Sequence, residues 1–466
     1  MNSPTITATV SSRLAEIVGD QHVATDFKHL SSYEIDRKLP AAVVRPGSSE
    51  EVAEIVKFAA SEKLALVPCG ARTKLRMGFA PSRYDLALDM TRLDRIVAYD
   101  PGDLTLSVEP GVPLRRLQET LAEHRQFLPV ASIFYNQATV GGLIASGVDS
   151  PFRQSYGTPR DFLLGMEFVT GEGVAAKSGG RVVKNVTGYD IHKLMIGALG
   201  TLGVITRVNF KTFPMHTAPR GLVARFANAE NALDMRRRIA QSALSPLAIE
   251  ILSPRVAELF ASDAAAKYAS APMPPDVISP SEWALSAGYD GNDRVLERYS
   301  VELQRMAQES RATAVSLLAE NLPAAWTRQR EFIPIALAFS PATTIVKMSV
   351  LPMRMKEALA AAQAAAESRV LPWAALARGV GVIYFALLPE AYNGDSQARV
   401  TKAAGEIQQA CAQLGGHATI PWCPADWKSA LQIWGPPRPD FPQMEKLKQV
   451  FDPQSILSPG RFVGGL

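Results

Sequence analysis

A chain of 466 residues with 47% hydrophobic and 20% charged residues has enough apolar surface for two domain cores and is neither disordered nor fibrous. Its net charge of +4 argues against a nucleic-acid binder, whose Lys and Arg would cluster on one face. No run of about eighteen apolar residues marks a membrane span, and the N-terminus lacks the basic start and apolar middle of a secretion signal. Cys69, Cys411 and Cys423 form no CxxC pair, which fits a reducing compartment and excludes an iron–sulfur cluster held by this chain alone. A cytoplasmic protein is expected.

Residues 41–44 read as a strand. Ser48 and Glu51 then make a capping box ahead of Val52, Ile55, Val56, Ala59 and Ala60, an apolar face at helical spacing. Residues 64–67 form a second strand, parallel to the first across a right-handed crossover. The loop 68–75 therefore leaves the carboxyl end of a strand, where open α/β units bind ligands. Alternation at Leu86, Leu88 and Met90 and at Leu104, Leu106 and Val108 suggests half-buried strands, separated by a turn at Asp100-Pro101-Gly102-Asp103. Pro113 suits the first position of a helix carrying Leu114, Leu117 and Leu121. Thr139 is placed to cap the next helix, whose opening residues Val140, Gly141 and Gly142 are expected to expose free N–H groups. A hairpin is expected around Gly171-Glu172-Gly173, and the first domain closes near Pro214.

Beyond it the pattern alternates between strand and helix. Strands are expected at 222–226, 247–252, 344–350 and 380–388, and helices at 229–242, 294–308 and 355–368. The helices suit one exposed face, so an antiparallel sheet backed by helices on one side is expected. Residues 271–275 read as a loop.

Three stretches carry chemistry. The first is KNVTGYDIHKLMIGALGTLGVIT from Lys184 to Thr206, in which Gly197, Gly200 and Gly203 recur at every third residue before a β-branched strand. Glycines there let backbone approach a flat, rigid ligand, since no Cβ stands in the way. The second is the loop Pro68-Cys69-Gly70-Ala71-Arg72-Thr73-Lys74, and the third is Ala138-Thr139-Val140-Gly141-Gly142. A dinucleotide needs its diphosphate neutralised, and backbone N–H groups in a glycine loop and at a helix start do this. Each contributes only about 0.3–1 kcal/mol per charge at exposed sites, so several must converge. No G-x-G-x-x-G or GxxxxGK[ST] occurs, which removes a Rossmann site and a phosphate-binding P-loop.

These stretches, with the C-terminal Phe451-Asp452-Pro453 and Ser458-Pro459-Gly460-Arg461, resemble the FAD-binding domain of the vanillyl-alcohol oxidase type of flavoproteins, also called PCMH-like. More narrowly, the chain is similar to the smaller FAD-binding subunits of bacterial glycolate oxidases. The resemblance implies an α+β chain: an FAD-binding domain at 1–215, completed by a return segment at 441–466, and a smaller, ferredoxin-like antiparallel-sheet cap at 216–440.

It also implies the site. The backbone of Gly70, Ala71, Arg72 and Thr73, flanked by Cys69 and Lys74, holds the diphosphate. Thr139, Gly141 and Gly142 let the chain pass the flavin, and Gly203 and Ile205 lie beside it. Gly188, Tyr189 and Asp190 either border the cofactor or tie their own turn. Arg153, Tyr156 and Asp161 either line the cleft or form an ordinary polar hairpin. Thr73-Lys74 stands where some relatives attach flavin through a His, so the FAD is expected to be non-covalent.

Relatives acting on D-2-hydroxy acids carry a Gly-Asp-Gly-Asn-x-His metal stretch. Here the matching residues read Gly379-Val380-Gly381-Val382-Ile383-Tyr384, so no metal is expected. Arg330, Lys347 and Tyr384 are the catalytic or substrate-contact candidates. The resemblance implies oxidation of a small 2-hydroxy acid, glycolate, to glyoxylate, beside a larger FAD subunit and an iron–sulfur subunit. Any contact with the inner face of the membrane would come through those partners. A self-sufficient hydroxy-acid or alcohol dehydrogenase and a non-catalytic flavin-containing subunit remain as alternatives.

Overall fold

The computed structural model describes residues 6–181, 188–269 and 277–466. Lys184 to Thr187 of the glycine-rich stretch and the loop 271–275 lie outside the described residues. The chain divides into two compact units of nearly equal size. Met1–Val148, Thr158–Met215 and Pro436–Leu466 make the first, and Asp149–Gly157 with His216–Gly435 make the second.

The first unit holds two main sheets. Strands β1 (Ala42–Val44), β2 (Leu66–Cys69) and β3 (Leu86–Asp89) are parallel, but β3 lies between the other two. The crossover helix α1 (Ser49–Ser61) is capped by Ser48, whose Oγ accepts from Glu51 N, and Glu51 returns a bond to Gly47 N. Every residue of β3 is buried. The alternation at Leu86 and Leu88 therefore does not mark a half-buried strand, because the central strand of a parallel sheet is covered on both faces.

The second sheet of this unit is antiparallel. Its strands, in chain order, are β4 (Ile96–Asp100), β5 (Thr105–Val108), β6 (Leu163–Val169), β7 (Ala175–Gly179) and β8 (Val204–Lys211); in space β8 pairs with both β5 and β6. Helix α2 (Leu114–Ala122) and the short helix α3 (Val140–Ser146) bury Leu114, Leu117, Leu121, Val140, Leu143 and Ile144 in one core with Phe162, Val208 and Phe210. That packing fixes where α3 begins.

The C-terminal segment completes the unit with buried charges. Lys448 on α9 (Phe441–Phe451) and Asp452 are 5% and 0% exposed. Lys448 Nζ donates to Asp452 Oδ2 (2.5 Å), Thr201 O (2.8 Å) and Leu457 O (2.9 Å). Asp452 in turn accepts from the N–H groups of Ile456 and Leu457. Leu66 N donates to Ile456 O, so the segment runs along β2.

In the second unit, one eight-stranded sheet is antiparallel throughout. Its strands are β9 (Arg220–Phe226), β10 (Ala248–Leu252), β11 (Trp283–Tyr289), β12 (Ala314–Leu318), β13 (Thr344–Ser349), β14 (Trp373–Arg378), β15 (Val382–Leu387) and β16 (His417–Trp422), in the spatial order β12-β9-β11-β10-β14-β15-β13-β16. Two groups of helices pack with it: α4 (Ala229–Gln241), α5 (Asp293–Glu309), α7 (Met355–Glu367) and α8 (Gly394–Gln413) in one, and Val256–Ala261, Asp263–Ala266, α6 (Leu322–Arg330) and Phe332–Phe339 in the other. Strands β10, β11 and β15 are buried at every position. Both faces of these central strands are therefore covered.

Candidate cofactor site

The loop after β2 begins at Gly70, where a Cβ would stand 2.2 Å from Thr139 Oγ1. Only glycine lets this loop pass the start of α3. Arg72 follows in the left-handed region at φ +64°, a conformation that costs a non-glycine residue free energy unless its surroundings hold it. Two contacts hold it. The guanidinium lies 4.5 Å from the centroid of the Tyr33 ring, and Nη1 sits 3.6 Å from Asp89 Oδ2. Asp89 is itself 2% exposed and accepts 2.5 and 2.9 Å bonds from the Tyr33 hydroxyl and Thr91 N. Burial and the neighbouring Asp89 push the Tyr33 hydroxyl far above its usual pKa, so it stays a donor.

Among the described residues, no protein acceptor takes the N–H groups of Gly70, Ala71, Arg72 and Thr73. The start of α3 differs from expectation. Val140 N donates to Val112 O (3.0 Å), Gly141 N to Pro110 O (2.8 Å) and Gly142 N to Thr139 Oγ1 (3.3 Å). The opening N–H groups of that helix are therefore engaged. The Thr139 cap is present, but it spends a donor that the sequence reading left for a ligand.

Two grooves of this unit share Pro68, Cys69, Gly70, Thr139, Gly142 and Ala145, and so form one continuous trough. One limb is lined by Met90, Pro110, Met195, Ala198, Val204 and Ile205, together with Gly141, Gly200 and Gly203. The other is lined by residues 71–75 and by Arg461. An apolar limb bordered by glycines suits a flat ring system, and a polar limb with unspent N–H groups suits an anion. The donor set thus fits a flavin dinucleotide.

Of the anticipated cofactor residues, Cys69 to Lys74, Thr139, Gly141, Gly142, Gly203 and Ile205 come together here. Gly188, at φ +89°, and Tyr189, 90% exposed, do not line the trough, and Asp190 pairs with Lys193 at 2.7 Å. Asp161 is spent on its own helix start, accepting from Thr158 N and Oγ1. Arg153 and Tyr156 belong to the second unit. Sequence reasoning missed Tyr33 and Asp89, and it named Arg461 only as part of the C-terminal resemblance, without a place at the loop.

The second unit contains a separate buried cluster. Arg378 on β14 is 4% exposed; its Nε lies 3.1 Å from Asp149 Oδ2 and its Nη1 bonds Glu250 Oε1 on the paired strand β10. Arg153 Nη1 approaches Asp149 Oδ1 at 3.3 Å. Lys347 faces Tyr384 across β13 and β15, with Nζ 6.0 Å from the ring centroid, and Arg378 lies 5.7 Å from the same ring. Burial pulls the Lys347 ammonium below its usual pKa; Asp149 opposes that shift and Arg153 adds to it. Two of the catalytic candidates, Lys347 and Tyr384, are therefore neighbours. The third, Arg330, ends α6 in an ion pair with Glu331 at 2.9 Å.

Comparison with known proteins agrees with the geometry. Residues 40–179 match the FAD binding domain family, and residues 216–419 match the C-terminal domain of FAD linked oxidases. Glycolate oxidase subunit GlcD of Bacillus subtilis (strain 168) is 25% identical over 98% of this chain and 97% of its own. Glycolate oxidase subunit GlcE of Escherichia coli (strain K12) is 36% identical over 44% of this chain and 55% of its own. Among solved structures, p-cresol methylhydroxylase with substrate bound matches at a TM-score of 0.77 and 18% identity, covering 97% of this chain and 96% of that one, a likeness of fold alone. With an FAD-binding domain of the PCMH type followed by an antiparallel-sheet cap, the chain belongs to the FAD-linked oxidases.

Proposed function

We propose that this FAD-linked oxidoreductase oxidises a small 2-hydroxy acid, glycolate in the first instance, as one subunit of a complex with a larger FAD subunit and an iron–sulfur subunit. Bound FAD would accept the hydride from the hydroxyl-bearing carbon. The chain's own residues would hold and orient the acid. The observation that carries the reading is the cluster around Tyr384, where Arg153, Arg378 and Lys347 outnumber the carboxylates Asp149 and Glu250. Arg378 is committed to both carboxylates. Lys347, half-buried and partly desolvated, is left for a substrate carboxylate, with Arg153 beside it.

The complex is favoured over a self-sufficient enzyme by what stands where relatives carry metal ligands. Val382, Ile383 and Tyr384 are 3%, 0% and 2% exposed, and two of the three side chains have no polar atom. Proton removal from the hydroxyl is then a task for a partner's equipment, and a positioned base or metal typically contributes a hundredfold or more. The FAD is read as non-covalent. Cys69, the cysteine at the trough, is buried, and burial first and Asp89 second push its thiol well above the usual range, which makes it a poor nucleophile.

Anaerobic mixing of the isolated, FAD-loaded protein with glycolate tests this. Slow or absent bleaching of its flavin, with turnover restored on co-expression of the partner subunits and their recovery with this chain, is expected. Rapid bleaching of the isolated protein would identify a self-sufficient dehydrogenase instead, and flavin that stays with the denatured polypeptide would show a covalent link.

A further inference from the structure

One carboxylate of the Tyr384 cluster has an oxygen with nothing to accept. Glu250 lies at the middle of β10, is 1% exposed, and pairs in register with Arg378 on β14 and with Ser286 on β11. Arg378 Nη1 donates to Glu250 Oε1, while Arg378 Nε turns to Asp149 Oδ2 at 3.1 Å. Glu250 Oε2 is buried and receives no hydrogen bond from the described residues. The Ser286 hydroxyl on the neighbouring strand meets Gln329 Nε2 at 3.1 Å rather than Glu250. A buried carboxylate oxygen without a donor carries a desolvation cost that nothing in the fold repays.

We propose that Glu250 Oε2 accepts the hydroxyl hydrogen of the bound 2-hydroxy acid, so that Glu250 selects hydroxy acids over acids lacking that group. The proposal rests on the acid binding at the Tyr384 cluster and adds the group that reads its hydroxyl. Lys347 and Arg153 face a carboxylate, which every carboxylic acid has, so they do not separate glycolate from acetate. A buried acceptor does separate them, because the analogue without a hydroxyl leaves it unpaired. Arg378 grips the other oxygen of Glu250 and is itself held by Asp149, which fixes the direction of Oε2. The contact is a hydrogen bond and transfers no proton. Oxidation turns the donor hydroxyl into a carbonyl oxygen, which meets the same carboxylate as a second acceptor, so the product is held less tightly than the substrate.

The test compares two acids within each variant, by anaerobic calorimetric titration of the isolated, FAD-loaded protein with glycolate and with acetate. Wild type is expected to prefer glycolate. Glu250→Gln keeps an acceptor for Arg378 Nη1 but exchanges Oε2 for an amide nitrogen, which donates. The Gln variant is expected to bind glycolate roughly 10- to 100-fold more weakly, the span of one hydrogen bond to a charged group, with acetate affinity changed by less than about twofold. Equal weakening of both acids, or glycolate binding unchanged, would overturn the assignment and leave Glu250 a counter-ion for Arg378. If the Gln variant does not fold, Glu250→Asp, which withdraws the carboxylate by one methylene, decides: loss of the preference for glycolate supports the proposal and its retention overturns it. Wild-type protein that binds neither acid would instead refute the substrate site as a whole.

Discussion

The Arg72 guanidinium stacks 4.5 Å over the Tyr33 ring while the Tyr33 hydroxyl donates to Asp89, the carboxylate nearest that guanidinium. The arrangement braces a left-handed residue, Arg72 at φ +64°, in the loop that follows β2. Tyr33→Phe keeps the ring and removes one donor from a buried carboxylate. Leaving such an acceptor short costs about 1–3 kcal/mol. The expected outcome is a lower denaturant midpoint, together with weaker FAD binding as the loop loses its brace. An unchanged midpoint and unchanged FAD affinity would show that Asp89 finds another donor and that the brace is unimportant.

Gly141 and Gly142 are adjacent but should respond differently. A Cβ at Gly141 would stand 2.7 Å from Pro110 Cβ, whereas one at Gly142 meets only Thr139 Oγ1, at 3.2 Å. Gly141→Ala should therefore destabilise the apoprotein as well as reduce FAD content. Gly142→Val should leave the fold intact, because Val is a no worse helix former than Gly, while placing its side chain in the trough. Flavin content and circular dichroism of the two purified variants make the comparison. Full FAD occupancy in Gly142→Val would mean that the cofactor does not pass this glycine.

The loop at Cys69–Lys74 and the Thr139 cap were legible because turns and caps are written in a few adjacent residues, each with its own backbone requirement. Helices α4, α5 and α7 were legible to within about a residue at each end, since their polar faces contrast with their apolar ones. Four strands of the cap were not foreseen, at Trp283–Tyr289, Ala314–Leu318, Trp373–Arg378 and His417–Trp422. The first is buried at all seven positions, so it lacks the alternation by which a strand is recognised. Tyr33, Asp89 and Arg461 reach the loop only through tertiary packing. The engaged N–H groups of Val140 and Gly141 depend on carbonyls of residues 110 and 112 arriving nearby, which the helix sequence does not encode.

The C-terminal segment is expected to be required for the first unit to hold cofactor. Lys448→Met leaves Asp452 buried without its cation, and breaking a buried pair from one side typically costs about 3–5 kcal/mol. It also removes the bond to Thr201 O, next to the Gly200 that lines the trough. Burial lowers the Lys448 pKa while Asp452 opposes the shift. Limited proteolysis should cut the variant's C-terminal segment faster than that of wild type, with flavin released in parallel. Equal protection in the two proteins would mean that Ile456 and Leu457 are held without the ion pair.

Lys347 is expected to set the pH dependence of acid binding. Burial holds its pKa below the usual 10.5, so in the free protein the ammonium is lost at a lower pH than for an exposed lysine. Only the charged form attracts a substrate carboxylate, so affinity for the acid should fall as pH rises through that lowered value. A bound carboxylate favours the charged form and raises the pKa again, which places the alkaline limb of kcat at a higher pH than that of kcat/KM. Stability moves in the opposite sense. Between the lowered pKa and 10.5 the unfolded chain binds more protons at this position than the native one, so the folded state gains stability with rising pH there and carries the full penalty below. Lys347→Arg cannot lose its proton in this range and should erase the alkaline limb of kcat/KM in the assembled complex, whereas Lys347→Met should lower affinity for the acid at every pH and flatten the profile. A profile in Lys347→Met that keeps the wild-type alkaline limb would assign that limb to another group and remove Lys347 from the substrate site.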